Sequence, residues 1–340
     1  AWHVFLNAGK KGMRLNLVTQ EGQELLSRLL ARSDALVIDD SPEARSSRGL
    51  QPSRLLQRQP HLLIISVRPY GEHGPYANYK ADNLTLQAMG GMMGLNGDPQ
   101  KEPLSAPGEQ ASMIAGRNVS IALMAGLLDQ GLGEPRGQFV DLSEMECVLC
   151  ETPFLLGWYA YVGAILARCG NYPRLVLDGD VRPCKDGHVC LAMNSVTKPW
   201  EIAAAVFDEP GLLDEKFRDH FGRLEHWQEL DHLATPRLKA YTKQELFRIG
   251  LQEGLPVGPV QTVDDLLACP QLHDRGFFHR TADKGTASLL FPGTGIRFDG
   301  VGFPTACHAP SLGQHNREIA VKFLDLPEQR VESLTAKGIL

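Results

Sequence analysis

Apolar positions set the first frame for this chain. Leu25, Leu26, Leu29 and Leu30 share one face of residues 21–31, the spacing of an amphipathic helix. Residues 35–38 form a short apolar run closed by Asp39-Asp40-Ser41-Pro42, which reads as a strand and a turn. Residues 50–59 read as a short helix closed by Pro60. Residues 61–67 (His-Leu-Leu-Ile-Ile-Ser-Val) are rich in β-branched residues and stopped by Pro69 and Gly71, the strongest strand signal in the chain. Strand, helix and strand in this order predict a parallel sheet with right-handed crossovers.

The pattern continues with a helix over 82–93 that ends at Gly90, Gly91 and Gly94, and a Gly- and Pro-rich loop over 97–108. A long apolar helix follows over 111–129, whose Gly116 and Gly126 allow close packing. Residues 138–142 are strand-like, and a long helix is expected over 143–167. The character changes near Cys169. Residues 170–173 read as a linker, and Asp186-Gly187 sits between two strand-like runs in a hairpin pattern. Residues 200–251 are charged and helical, with His220, His226 and His232 on the helix surface. An extended segment over 257–260 leads into a helix over 263–268, and a last helix spans 317–324. The pattern predicts an α/β protein with two domains.

Composition narrows the function. The net charge of −6 and pI near 6.0 exclude a blanket of phosphate contacts, so no nucleic-acid partner is read. A local cationic pocket for one phosphorylated ligand stays open. Seven cysteines at irregular spacing fit reduced thiols in a cytoplasmic protein better than a disulfide framework. Lys10, Lys11 and Arg14 break any apolar run at the front, and the uncharged stretch 152–167 is shorter than the about 20 residues of a membrane span. It reads as a buried or interface helix, and no membrane partner is expected.

Several residues could carry chemistry. The run Gly90–Gly97 follows a helix, whereas phosphate loops open one, so a helix-ending turn competes with phosphate binding. Cys147-Val148-Leu149-Cys150 has redox spacing but lies in an apolar helix, where buried cysteine is usually a small hydrophobe. The histidines are scattered, and no metal site is expected. The loop Gly71-Glu72-His73-Gly74-Pro75-Tyr76 follows the best strand, at the end of a parallel sheet where ligands bind, or is only a tight turn. Glu144, Glu146 and Glu151 cluster at a strand-to-helix junction. They read as helix-dipole partners behind the Ser143 cap or as a carboxylate nucleophile or base.

Five ordered segments then resemble one family. They are Leu6-Asn7-Ala8-Gly9-Lys10-Lys11, the run from Tyr70 through Tyr76, and Arg136-Gly137-Gln138-Phe139-Val140-Asp141-Leu142-Ser143. Next come Pro256-Val257-Gly258-Pro259-Val260 with Pro270-Gln271-Leu272 and Arg275-Gly276-Phe277-Phe278, and last Ala309-Pro310-Ser311-Leu312-Gly313-Gln314-His315. Together they resemble the class III CoA-transferases, the family of formyl-CoA transferase, carnitine CoA-transferase and α-methylacyl-CoA racemase.

The resemblance implies a doubly wound parallel-sheet large domain over 1–172, a smaller α+β domain over 173–300, and a segment over 301–340 that returns to the large domain. It implies two chains threaded as an interlocked dimer, and an opening that corresponds to a point inside the large domain, with the N-terminal part missing. It implies transfer of coenzyme A from an acyl-CoA to a carboxylic acid through a carboxylate nucleophile and an enzyme-CoA thioester. Glu146 stands where the family has its nucleophilic aspartate; Asn7, Lys10, Lys11, Gly71 and Gly74 are the residues expected to hold coenzyme A. Ala81 and Ser112 stand where the racemase branch has its acid–base pair, so racemase activity is not expected. Asp39, Asp40 and Ser41 replace an Asn-Phe-Arg sequence that helps hold the nucleotide. The alternative reading is a non-catalytic subunit, in a heterodimer with a related chain or in a tandem transferase.

Overall fold

Thr19 caps the first long helix, its hydroxyl accepting from the Gly22 N–H. The computed structural model describes residues 2–133, 136–171, 180–191, 198–280, 290–299 and 309–340. The boundaries expected at 172/173 and 300/301 lie outside them, as do Tyr172 and Pro173 of the expected linker.

The chain divides into two compact units. One comprises Ala1–Met92, Ser105–Leu156 and Pro270–Leu340, the other Met93–Leu104 and Gly157–Cys269. The first begins with helices α1 (Trp2–Leu6) and α2 (Gln20–Leu30), strand β1 (Ala35–Ile38), helices α3 (Pro42–Arg48) and α4 (Pro52–Arg58), and strand β2 (Leu63–Arg68). Then come α5 (Asn83–Met89), α6 (Gln110–Leu132), β3 (Gln138–Ser143) and α7 (Glu144–Cys150), while α8 (Pro153–Val162) begins in this unit and ends in the second. The three strands are parallel in the order β1-β2-β3.

Central β2 is covered on both faces, which is why it reads as an uninterrupted apolar run. Leu63 and Ile65 pack with Leu86 of α5, Ile114 and Ala115 of α6 and Val148 of α7. Ile64, on the opposite face, packs with Leu26 and Leu30 of α2 and Leu55 of α4. Gly126 lets α6 lie close on the sheet, because a Cβ there would fall 2.6 Å from Leu63 Cδ2.

Three elements depart from the sequence pattern. The expected turn after β1 is helix α3: Ser41 accepts from the Ala44 N–H, Pro42 fills the first turn, and Gly49 ends it in the left-handed region. The expected helix over 143–167 breaks into α7 and α8, since Pro153 has no N–H and disfavours helical Thr152. The expected helix over 82–93 ends at Met89 and resumes as a 3-10 turn over Met92–Leu95.

The second unit holds an antiparallel sheet of β4 (Asp180–Cys184), β5 (Gly187–Leu191) and, after helices α9 (Lys198–Val206), α10 (His220–Glu225), α11 (Trp227–Leu238) and α12 (Lys243–Glu253), β6 (Val257–Pro259). The hairpin expected at Asp186-Gly187 joins β4 to β5. Val189, Trp200, Phe217, Leu230 and Leu246 form its core. After α13 (Val263–Leu267), the chain re-enters the first unit through α14 (Pro270–Asp274), the pair β7 (Phe278–Arg280) and β8 (Leu290–Pro292), and α15 (Asn316–Glu318). A π turn over Ile319–Phe323 and helix α16 (Glu328–Ala336) close it, packing Ala320, Leu324, Leu334 and Ile339 against Leu25.

Candidate active site

The carboxyl ends of β1, β2 and β3 lie side by side, with Ile38 opposite Ser66 and Arg68 opposite Ser143. Ligands of open parallel sheets bind at such an edge. Here the residues after β1 (Asp39, Ser41, Glu43), the end of β2 (Val67, Arg68), Tyr79, Lys80 and Ala81, and Ser112, Ala115 and Val119 of α6 line an open cavity of about 850 Å³. Glu144 completes its wall.

The loop after β2 is held from below by buried charge. Arg45, on α3, is 3% exposed; its guanidinium donates to Ser66 Oγ at 3.2 Å and pairs with Glu72 at 2.6 Å. Ser66 Oγ also donates to Glu72. Burial pushes the Glu72 carboxyl up, but the Arg45 and Ser66 hydrogen bonds and the Arg45 charge outweigh it and hold the group below its usual range. The Glu72 N–H donates to both oxygens of Asp141, at 3.0 and 3.1 Å. Gly71 (φ 80°) and Gly74 (φ 99°) take left-handed conformations that let the loop turn over this network. Sequence reasoning found the two glycines and missed Arg45 and Arg68. The available signals were a cation on the inner face of a short helix and a cation ending an apolar strand.

The helix that begins at the end of β3 carries two glutamates with different surroundings. Ser143 caps α7, accepting from the Glu146 N–H at 3.3 Å, and the Met145 N–H donates to Pro69 O at 3.0 Å. That bond brings α7 to the start of the Gly71 loop. Glu144 lines the cavity and is half-buried; burial first, then the negative charge of Asp39, pushes its carboxyl up against the pull of Arg68. Glu146 lies about 200° further round the helix, is exposed, and is not part of that cavity wall.

The front segment is organised differently. Asn7 Oδ1 accepts from Lys10 Nζ at 3.1 Å. Lys11 Nζ pairs with Glu318 at 2.5 Å, and the Gly12 and Arg14 N–H groups donate to His315 Nδ1 and Asn316 Oδ1. These bonds fix the segment to α15. Among the described residues, no hydrogen bond or ion pair joins Asn7, Lys10 or Lys11 to Gly71, Gly74 or Glu146.

Other candidates have structural explanations. Cys147 is buried, and burial with the nearby Cys150 and glutamates pushes its thiol up to about 11, far from a reactive thiolate at neutral pH. Gly90 packs on α7, where a Cβ would fall 2.5 Å from Val148 Cγ1. Among the described residues no group of three His, Cys, Asp or Glu side chains is placed to hold a metal ion.

Comparisons with known proteins agree with this arrangement of strands and motifs. A family model described as CoA-transferase family III matches residues 1–316. The succinyl-CoA–D-citramalate CoA-transferase of Chloroflexus aurantiacus is 27% identical over 340 residues, 100% of this chain and 84% of that protein. The succinyl-CoA:(R)-benzylsuccinate CoA-transferase subunit BbsE of Thauera aromatica is 28% identical over 348 residues, 99% of this chain and 83% of that one. Among solved structures, a CAIB/BAIF family protein from Brucella suis superposes with a TM-score of 0.81 at 25% identity, covering 94% of this chain and 83% of that one.

Proposed function

The chain belongs to CoA-transferase family III and is a CoA-transferase, and on that premise we propose that it carries coenzyme A from an acyl-CoA to a carboxylate acid with Glu146 as the covalent nucleophile. The observation that carries this reading is the position of Glu146. It stands in the first turn of α7, directly after a strand of the parallel sheet, with an exposed carboxylate and its backbone N–H held by the Ser143 cap. A carboxylate is a competent nucleophile toward a thioester.

The bond changes balance in four displacements. A Glu146 carboxylate oxygen attacks the thioester carbon, the C–S bond breaks, and coenzyme A leaves as thiolate from a mixed anhydride. The thiolate attacks the Glu146 carbonyl carbon and releases the donor acid, leaving an enzyme-CoA thioester. The acceptor carboxylate then attacks that thioester, giving a second anhydride and thiolate. Attack of the thiolate on the acceptor carbonyl forms the new acyl-CoA and restores the Glu146 carboxylate.

Asn7, Lys10, Lys11, Gly71 and Gly74 are proposed to hold coenzyme A. The glycine loop offers backbone N–H groups beside α7, and the two lysines offer charge for phosphate; a phosphate at Lys11 competes with Glu318. The relatives are named for succinyl-CoA, and a dicarboxylic acyl group is the donor class we assign. A second copy of the chain is the proposed partner, arranged as interlocked rings. Its support is a stripe along α6, where Ile121, Met124, Leu128 and Leu132 are 62–81% exposed, an apolar patch of the kind that marks an interface. Seven irregularly spaced cysteines support a reducing, cytoplasmic compartment.

Incubation with succinyl-CoA followed by hydroxylamine or borohydride trapping and peptide mapping tests the nucleophile. A modified Glu146 is expected, with transfer abolished in Glu146→Ala and reduced on the order of 100-fold in Glu146→Asp, whose carboxylate falls about 1 Å short. Full activity in Glu146→Ala without a trapped adduct would overturn the assignment. A heteromeric reading is favoured by relatives named as subunits. Coenzyme A binding and transfer by the chain purified alone would exclude an inert-subunit role.

A further inference from the structure

We propose that Asp141 is a positioning residue for the transfer reaction: its carboxylate pins the glycine loop to the strand that leads into α7, and so sets where a bound thioester meets Glu146. This deepens the transferase reading and rests on it. Asp141 stands inside β3, five residues before Glu146, and is exposed. Aspartate is depleted in strands, because its short side chain competes for nearby backbone groups. Its presence at this place therefore calls for a partner.

The partner is on the loop. Both Asp141 oxygens accept from the Glu72 N–H, at 3.0 and 3.1 Å. Among the described residues the carboxylate has no other hydrogen bond and no ion pair. It also lies against Gly71, where a Cβ would stand 3.5 Å from Asp141 Oδ1. A hydrogen bond to a charged acceptor is roughly twice as strong as one between neutral groups. The Glu72 side chain is engaged separately by Arg45 and Ser66, so this one residue is held by backbone and side chain at once.

A second bond lies just before the turn. The Met145 N–H, in the first turn of α7, donates to Pro69 O at 3.0 Å. The two bonds bracket Tyr70 and Gly71 and tie both sides of the turn to one continuous piece, β3 with α7. Gly71 sits at φ 80°, where a residue without a Cβ moves freely. Without the Asp141 bond Gly71 becomes a hinge, and the backbone leading to Gly74 loses its tie to β3. A displacement of about 1 Å between bound thioester and nucleophile costs on the order of 100-fold in rate. Asp141 touches no reacting atom; it acts through the loop.

Amide hydrogen exchange, titration with free coenzyme A and transfer kinetics, all on the full chain, test the proposal. The Glu72 amide is expected to exchange slowly in wild type and roughly tenfold faster in Asp141→Ala. The same variant is expected to bind coenzyme A about fivefold more weakly, because the loop must then be ordered on binding. Its kcat/KM for succinyl-CoA should fall by about 10- to 100-fold. Asp141→Asn keeps a carbonyl oxygen for the Glu72 N–H and should stay within about threefold of wild type in all three readouts. Asp141→Thr suits a strand better than aspartate but lacks an acceptor of that reach. It should behave like Asp141→Ala, and it decides the matter if the alanine variant fails to fold. Glu146→Ala is expected to bind coenzyme A as wild type does, so failure of the nucleophile assignment would leave the binding result standing. Four results would each overturn the role of Asp141: unchanged binding and kinetics in the alanine and threonine variants, lost activity with the Glu72 amide still protected, an asparagine variant as impaired as alanine, or no coenzyme A binding by wild type.

Discussion

At the scale of single residues, Glu144 and Glu146 show how two neighbours with the same free chemistry diverge. Glu146 remains in water, while Glu144 is turned to the cavity, where burial and Asp39 raise its pKa against Arg68. Glu43, Lys80 and Tyr79 also face that cavity. A carboxyl whose folded pKa is raised contributes its stability below the ordinary carboxylate range and loses it as pH rises through the raised value. Glu144→Gln should therefore stabilise the protein at pH 8, by a few tenths to about 1 kcal/mol given its partial exposure. The gain should vanish at about pH 4, near the ordinary glutamate pKa. Urea melts at the two pH values measure it, and a gain that grew as pH fell would contradict the assignment.

At the scale of elements, the Arg45–Glu72 pair joins helix α3 to the loop that carries Gly71 and Gly74. Both side chains are largely withdrawn from water, so the pair positions more than it stabilises. Removing one partner is the costly change. Arg45→Met is expected to destabilise the protein by about 3–5 kcal/mol, whereas Arg45→Met with Glu72→Met recovers most of the loss, because no charge is left buried alone. Denaturant midpoints of the two variants decide this. The same elements were only partly legible. The apolar run of β2 announced a covered strand, and Asp186-Gly187 announced a hairpin. Helix α3 was hidden behind turn residues, since Ser41 and Pro42 serve a helix start as readily as a turn.

At the scale of the molecule, α6 raises the question of assembly. Its length of 23 residues and mean hydropathy of 1.4 would suit a bilayer, yet Ala111, Ile114, Ala115 and Gly126 are buried, and Gly126 seats the helix on Leu63. The open stripe on its other side accounts for apolar residues all round the helix. If two copies interlock as proposed, light scattering should give twice the 37.4 kDa chain mass and should hold that value on dilution to nanomolar concentration. A fall to one chain on dilution would exclude interlocked rings. Met124→Glu combined with Leu128→Glu is expected to lower the dimer yield, since charges then occupy the stripe.

The sequence by itself determined the strand–helix order, the parallel sheet, the glycine loop and the family motifs, because these follow from local periodicity, turn chemistry and residue spacing. It also brought Glu144 and Glu146 to one strand-to-helix junction. Which of the two faces the cavity, and which residues neutralise Glu72, were decided only by tertiary structure. Arg45 and Glu72 are far apart along the chain, and Asp39, Arg68 and Glu144 stand at the carboxyl ends of three different strands. Their electrostatics depend on distances and burial that arise when β1, β2 and β3 align, and neither quantity is written in local sequence.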